Sequence, residues 1–110
     1  MAIHDITLKQ GETWSKVLTL KDDSDVVIDI TNDTFRGHIR KHHTSSDTQA
    51  VFTFTITDGT NGVVSWTLSA TDSAACSSGR LVYDVEWVKQ NGDVTRILEG
   101  LAEVSPEVTK

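Results

Sequence analysis

Apolar and polar residues alternate along most of this chain with a period of two, the pattern of strands that bury one face. The clearest run covers residues 51–57, where Phe52, Phe54 and Ile56 take one side and Thr53, Thr55 and Thr57 the other. Residues 63–68 repeat it with Val64, Trp66 and Leu68 inward. Between the two runs, Asp58-Gly59-Thr60-Asn61-Gly62 reads as a hairpin loop. Four strands are predicted upstream, over residues 3–9, 13–21, 26–30 and 34–42. In the second of these, Trp14, Leu18 and Leu20 share a face that Lys16 interrupts, which predicts a bulge or an edge position there. In the fourth, Phe35, Gly37 and Ile39 face one way and Arg36, His38 and Arg40 the other. Turns are expected at Gln10-Gly11-Glu12, Asp22-Asp23-Ser24-Asp25 and Thr31-Asn32-Asp33, where Asn32 tolerates a left-handed backbone. The polar residues 43–49 read as a mobile loop. Helical character is confined to residues 70–76, where Ser69 or Thr71 can cap a single short turn.

The last hairpin has the strongest local signal. Residues 80–89 and 94–104 flank Asn91-Gly92, the dipeptide favoured by a two-residue type I′ turn with positive φ at both positions. Such a turn pairs Lys89 with Val94, Trp87 with Arg96, Val85 with Leu98, Tyr83 with Gly100 and Leu81 with Ala102 on the inner face. Tyr83 then lies opposite a residue with no side chain, and the Arg96 guanidinium stacks on the Trp87 indole. The outer face pairs Val82 with Leu101, Asp84 with Glu99, Glu86 with Ile97 and Val88 with Thr95. Two carboxylates directly opposite each other need compensation, and Arg36 and Arg40, outward on the neighbouring strand, are placed to supply it. Val82, Asp84, Glu86, Val88, Ile97, Glu99 and Leu101, with Arg36 and Arg40, therefore form a candidate assembly face. The bland alternative is a solvated, salt-bridged sheet surface.

Together these elements predict an all-β protein, an immunoglobulin-like antiparallel β-sandwich of about 7–8 strands with one short helical turn near 70–76. At 110 residues the chain fits a single domain, 1–110. The 37% hydrophobic content suits a sandwich whose outer faces meet water. A formal net charge of −6 disfavours a nucleic-acid partner. No apolar run has the length of a membrane-spanning helix, and residues 1–5 lack the basic-then-apolar order of a signal peptide.

Candidate chemistry is sparse. Cys76 is the single cysteine, so no internal disulfide can form, and Ala74-Ala75-Cys76-Ser77-Ser78 offers no base to activate a nucleophile. Among the four histidines, His38 and His42 share a strand face two pleats apart, too far for one zinc ion. Asp22, Asp23 and Asp25 lack the glycine and distal glutamate of a calcium loop. Asp84, Glu86 and Glu99 lie on a flat face without a cleft, and no nucleophile elbow or phosphate-cradling glycine loop occurs. No catalytic residue, metal or cofactor is expected. Trp14, Trp66 and Trp87 are read as core residues; as a sugar platform they would instead make a carbohydrate-binding module.

Several segments also resemble a family, in order along the chain. Ile6-Thr7-Leu8-Lys9-Gln10-Gly11-Glu12-Thr13-Trp14 is similar to the opening of the N-terminal domain of phage baseplate upper proteins and related phage tail proteins. There a short strand leads through a Gln-Gly-Asp/Glu-Thr turn to an aromatic residue. Leu18-Thr19-Leu20-Lys21-Asp22 resembles the second strand, and Ile28-Asp29-Ile30-Thr31 an Ile-Asp-Leu-Thr segment. Thr34-Phe35-Arg36-Gly37-His38-Ile39-Arg40 looks like the family's Phe-x-Gly-x-Ile-Arg strand. Residues 79–86 and 96–100 resemble its closing hairpin, and Val104-Ser105-Pro106 its exit. Asp25 and Val27 depart from it, standing where the family often has Gly and Pro.

The resemblance implies an immunoglobulin-like sandwich in a virion appendage, with a structural role and no cofactor. Its partners would be other phage virion proteins and a second copy of itself, with no nucleic acid and no membrane. Its location would be the phage tail or neck, and the host cytoplasm during assembly. Larger relatives continue into a linker and further domains, so a chain ending at Lys110 is expected to be a stand-alone tail or neck component. A carbohydrate- or host-surface-binding β-sandwich is the alternative.

Overall fold

The structure, a computed structural model, describes residues 2–42 and 48–107. Among them the chain forms β1 (Ala2–Ile3), β2 (Ile6–Lys9), β3 (Trp14–Thr19), β4 (Thr34–Arg40), β5 (Thr48–Val51), β6 (Thr53–Asp58), β7 (Val63–Leu68), helix α1 (Ala70–Ala75), β8 (Gly79–Val88) and β9 (Val94–Ser105). One sheet runs β1-β9-β8-β4-β5, with β2 also on β9, and the other runs β3-β7-β6. The β4-β8-β9 and β3-β7-β6 sets are those of an immunoglobulin-like sandwich. The first strand lies parallel against the last, on the larger sheet.

Each inner face follows the predicted alternation. Val64, Trp66 and Leu68 on β7 are buried, as are Leu81, Tyr83 and Val85 on β8. Trp66 packs against Tyr83 across the sandwich at 5.5 Å between ring centroids, and Trp14 and Phe52 meet it edge-on. This aromatic cluster occupies the centre of the core. Ser69 caps α1 by accepting from the Asp72 N–H at 3.1 Å. The Oγ of buried Ser73 donates to Glu12 O and accepts from Gly11 N, tying α1 to the β2–β3 turn.

Several expected boundaries differ, each for a traceable reason. The first strand breaks at His4–Asp5, although its register on β9 is unshifted. At the break, Tyr83 Oη donates to His4 O, and the Leu101 N–H donates to Asp5 Oδ1 at 3.0 Å. These bonds replace ladder bonds. At Lys16 the expected alternatives resolve to the edge position: β3 is an edge strand in unbroken register with β7 and has no bulge. Residues 26–30 do not form a strand. Val27 bridges Lys21, but Ile28 N–H goes to Leu20 O and Ile30 N–H to Gly59 O, two partners that cannot form one ladder. The left-handed residue in this region is Asp25, at φ 62, and not Asn32. The Asp22 carboxylate stabilises that turn by accepting from Ser24 and Val26 N–H.

The run over 51–57 is two strands. β5 pairs with β4 in the larger sheet, the chain crosses at Phe52, and β6 pairs with β7 in the smaller one. Phe52 N–H still donates to Gly37 O at 3.0 Å, so the crossing residue is held by the sheet it leaves. Thr48 and Gln49 belong to β5 and not to a loop. The rest of that predicted loop, residues 43–47, lies outside the described residues.

The last hairpin contains two departures that offset each other. Lys89 O accepts from Gly92 N–H, and Lys89 N–H donates to Asp93 O. The loop is thus three residues, closed by Gly92 at φ 96, and Asn91 is not left-handed. This shifts the pairs next to the turn by one, giving Val88 opposite Val94, Trp87 opposite Thr95 and Glu86 opposite Arg96. A β-bulge then inserts Ile97, and from Val85 opposite Leu98 onward the predicted register holds, through Tyr83–Gly100 to Leu81–Ala102.

Candidate functional site

The outer face of β4, β8 and β9 carries the predicted candidate residues, in three rows across the sheet. Arg36 is opposite Glu86, which is opposite Arg96. His38 is opposite Asp84, which is opposite Glu99. Arg40 is opposite Val82, which is opposite Leu101. The period-two pleat of three long strands puts these side chains on one surface.

Arg36 Nε donates to Glu86 Oε1 at 2.7 Å, and so pairs with Glu86 and not with the facing carboxylates it was expected to compensate. The facing carboxylates Asp84 and Glu99 are bridged instead by Arg96, which a two-residue turn would place on the inner face. Arg96 Nε lies 3.4 Å from Asp84 Oδ2, and its Nη1 lies 3.6 Å from Glu99 Oε2. One guanidinium thus spans the two like charges, which the alternation on β9 would otherwise leave in repulsion. The side chains remain half-exposed, so each pair contributes little to folding. Their effect is to fix the arrangement of charge on the face.

Two placements are corrected. Ile97 is not on this face; as the bulge residue it turns inward and packs against the core. Arg96 does not stack on Trp87, which pairs with Thr95; the cation over that indole is Lys89 Nζ, 4.7 Å from the ring centroid. The sequence did hold a signal for both. Ile97-Leu98 places two apolar residues in succession inside an alternating strand, as a bulge does when both must reach the core. Val82, Val88 and Leu101 stay on the outer face, Leu101 being 36% exposed. Exposed Val94, opposite Val88, makes a second apolar pair near the hairpin tip, two charged rows away from Val82 and Leu101.

A shallow depression of about 300 Å³ lies at this face, lined by His38, Arg40, His42, Val82, Tyr83, Asp84, Arg96 and Glu99. It is charged of both signs. Among the described residues no group of three or more His, Cys, Asp or Glu is arranged to hold a metal ion. Two of the shifted groups lie away from the depression. Burial pushes the Cys76 thiol up, aided by Asp72, and the Thr31 hydroxyl and N–H hold the Asp29 carboxyl down. Beneath the face, burial and then the Asp5 charge push Tyr83 up to about 12.

A second depression, at the loop end, is lined by Asp29, Asp33, Trp87, Lys89, Gln90 and Asn91. Asp33 holds it together, with Oδ2 accepting from Trp87 Nε1 at 2.8 Å and Oδ1 from Gln90 N–H at 2.9 Å. Lys89 covers the indole ring there. Of the other tryptophans, Trp66 is fully buried and Trp14 half-buried beside it.

No family model matches the chain, and no curated protein matches it. Among solved structures it is similar to murine CRIg, at 10% identity over 94% of this chain and 92% of that chain, with a TM-score of 0.40.

Proposed function

We propose that this protein is a non-enzymatic structural component of a bacteriophage virion, in the tail, baseplate or neck, and that it acts by association through the outer face of β4, β8 and β9. The phage assignment rests on the ordered resemblance of residues 6–106 to baseplate and tail proteins. The assembly role is carried by one observation. The apolar positions Val82, Val88 and Leu101 share one face with charges held in place by Arg36–Glu86 and the Arg96 bridge. Val82 with Leu101 at one end and Val88 with Val94 at the other flank the ordered charged rows, so the face offers a partner apolar area together with a fixed charge register.

Three strands about 4.8 Å apart, with about seven residues each at about 3.4 Å, give a face of roughly 340 Å² in projection. That is less than the roughly 800 Å² per partner of a standard interface and in the range of a small contact within a larger assembly. The partners are other virion proteins, encountered first in the host cytoplasm during assembly. The acidic net charge disfavours nucleic acid.

A carbohydrate- or host-surface-binding role is the weaker reading. Its best-placed aromatic, Trp87, is covered by Lys89, which denies a sugar the ring face. Mass spectrometry of purified particles and of assembly intermediates tests the proposal. The protein should be present at a fixed copy number, and Leu101→Asp should deplete it from particles without unfolding it. Its absence from both preparations would overturn the phage assignment, and unaltered incorporation of Leu101→Asp would overturn the choice of face.

A further inference from the structure

We infer that β6 is a homotypic docking edge, on which a second copy of this chain adds its own β6 antiparallel, with a twofold axis at Thr55. Sheet edges expose unpaired N–H and C=O groups, and proteins blunt them with charge, bulges or cover. Among the described residues the other edges have such protection. The edge of β5 is lined by Gln49, whose Oε1 accepts from Ser77 N–H and Oγ just after α1. The β3 edge carries Lys16, whose Nζ reaches His4 Nε2 at 2.6 Å on the facing β1–β2 segment and so occupies both edges on that side.

β6 has neither kind of cover. It pairs with β7 on one side, and Thr53-Phe54-Thr55-Ile56-Thr57 carries no charge and no proline before Asp58. Its bulge falls at the far end, leaving residues 53–56 regular. The outer face that continues from this edge across β7 and β3 holds Ser, Thr and Val alone until Asp58. In a chain of net charge −6, two copies repel across most surfaces; this uncharged face and edge let them approach without like charges meeting.

The register follows from the residues. An axis at Thr55 sets Thr55 against its own copy and half-buried Phe54 against Ile56, both within the regular stretch, and leaves Thr53 beside the bulge at Thr57. Thr–Thr and aromatic–β-branched pairs favour a sheet. Asp58 falls beyond Thr53, where no carboxylate meets it. An axis at Phe54 would instead need Phe52, which is already committed to Gly37 O in the other sheet. A parallel arrangement would set Asp58 against Asp58.

Thr55→Cys tests the register directly. Two copies would bring these cysteines within disulfide range, a Cα separation of about 4.4–6.8 Å. Cysteines at Thr53 would stand roughly 14 Å apart along the strands. Mild oxidation should therefore cross-link Thr55→Cys and not Thr53→Cys; buried Cys76 does not compete. In sedimentation equilibrium the natural chain should move from the mass of one chain toward two as concentration rises, and Thr55→Lys should stay at one. A natural chain that stays at one mass, or equal cross-linking of the two cysteine variants, overturns the inference. So does a dimer lost in Leu101→Asp and kept in Thr55→Lys, which would place self-association on the other face and leave the proposed function standing.

Discussion

Raising the pH should unlock this fold at one identifiable residue. Tyr83 is the chain's single tyrosine and is 3% exposed in the core. Its hydroxyl donates to His4 O at the break between β1 and β2. Burial, with Asp5 adding to it, pushes the phenol from the ordinary value near 10 up to about 12. A phenolate has no proton to donate to that carbonyl and would be desolvated beside a carboxylate. The folded state therefore favours the protonated form. Its contribution is complete below about pH 10 and is lost as pH rises toward about 12. At about 1.4 kcal/mol per unit, the loss over that window is about 2–3 kcal/mol, a large part of a small domain's stability. Two assays read it. Tyrosinate absorbance, which reports this residue alone, should rise well above pH 10. Urea denaturation at pH 9 and pH 11.5 should show the loss, and Tyr83→Phe should abolish the Tyr83 part of it. That variant keeps the ring packing on Trp66 and Phe52 and should cost about 1 kcal/mol at neutral pH through the missing hydrogen bond. Ionisation of the folded protein near pH 10, or an alkaline loss of equal size in Tyr83→Phe, would refute the reasoning.

Three further outcomes are expected. Gly100→Ala should destabilise by about 1–3 kcal/mol in chemical denaturation, because a Cβ there meets the His4 carbonyl and must push β1 off β9. Arg96→Ala should leave Asp84 and Glu99 facing each other unbridged, costing a few tenths to about 1 kcal/mol at low salt and less at high salt; thermal melts at two ionic strengths check this. Asp33→Ala should cost about 2 kcal/mol and change the tryptophan emission, since the Trp87 indole N–H and the Gln90 N–H lose a shared carboxylate.

The face of each residue was far more legible in the sequence than the partner of each strand. Alternation places Trp66, Leu81, Tyr83 and Val85 in the core because burial is a property of one side of a strand, readable from its own residues. Which sheet a run joins is decided by bonds to distant residues. Residues 51–57 keep one unbroken alternation, yet the chain changes sheets inside it, and the Phe52–Gly37 bond at the crossing has no local signature. The same limit applied to residues 26–30, whose apolar pattern is sound but whose hydrogen bonds are divided between Leu20 and Gly59.

The last hairpin shows why a nearly correct register can still misplace a site. The three-residue loop and the Ile97 bulge each shift the pairing by one, in opposite senses, so Tyr83 meets Gly100 with both present just as it would with neither. Between the two shifts, however, the faces of β9 exchange. Arg96 moves from the core rim to the outer face, and Ile97 moves from the outer face to the core. This exchange improves both environments. A guanidinium leaves the apolar interior to bridge Asp84 and Glu99, and an isoleucine leaves solvent to pack inside. It also changes how the candidate face is probed. Ile97→Asp would place a carboxylate in the core and report on folding, whereas Leu101→Asp, on an exposed strand position, reports on association.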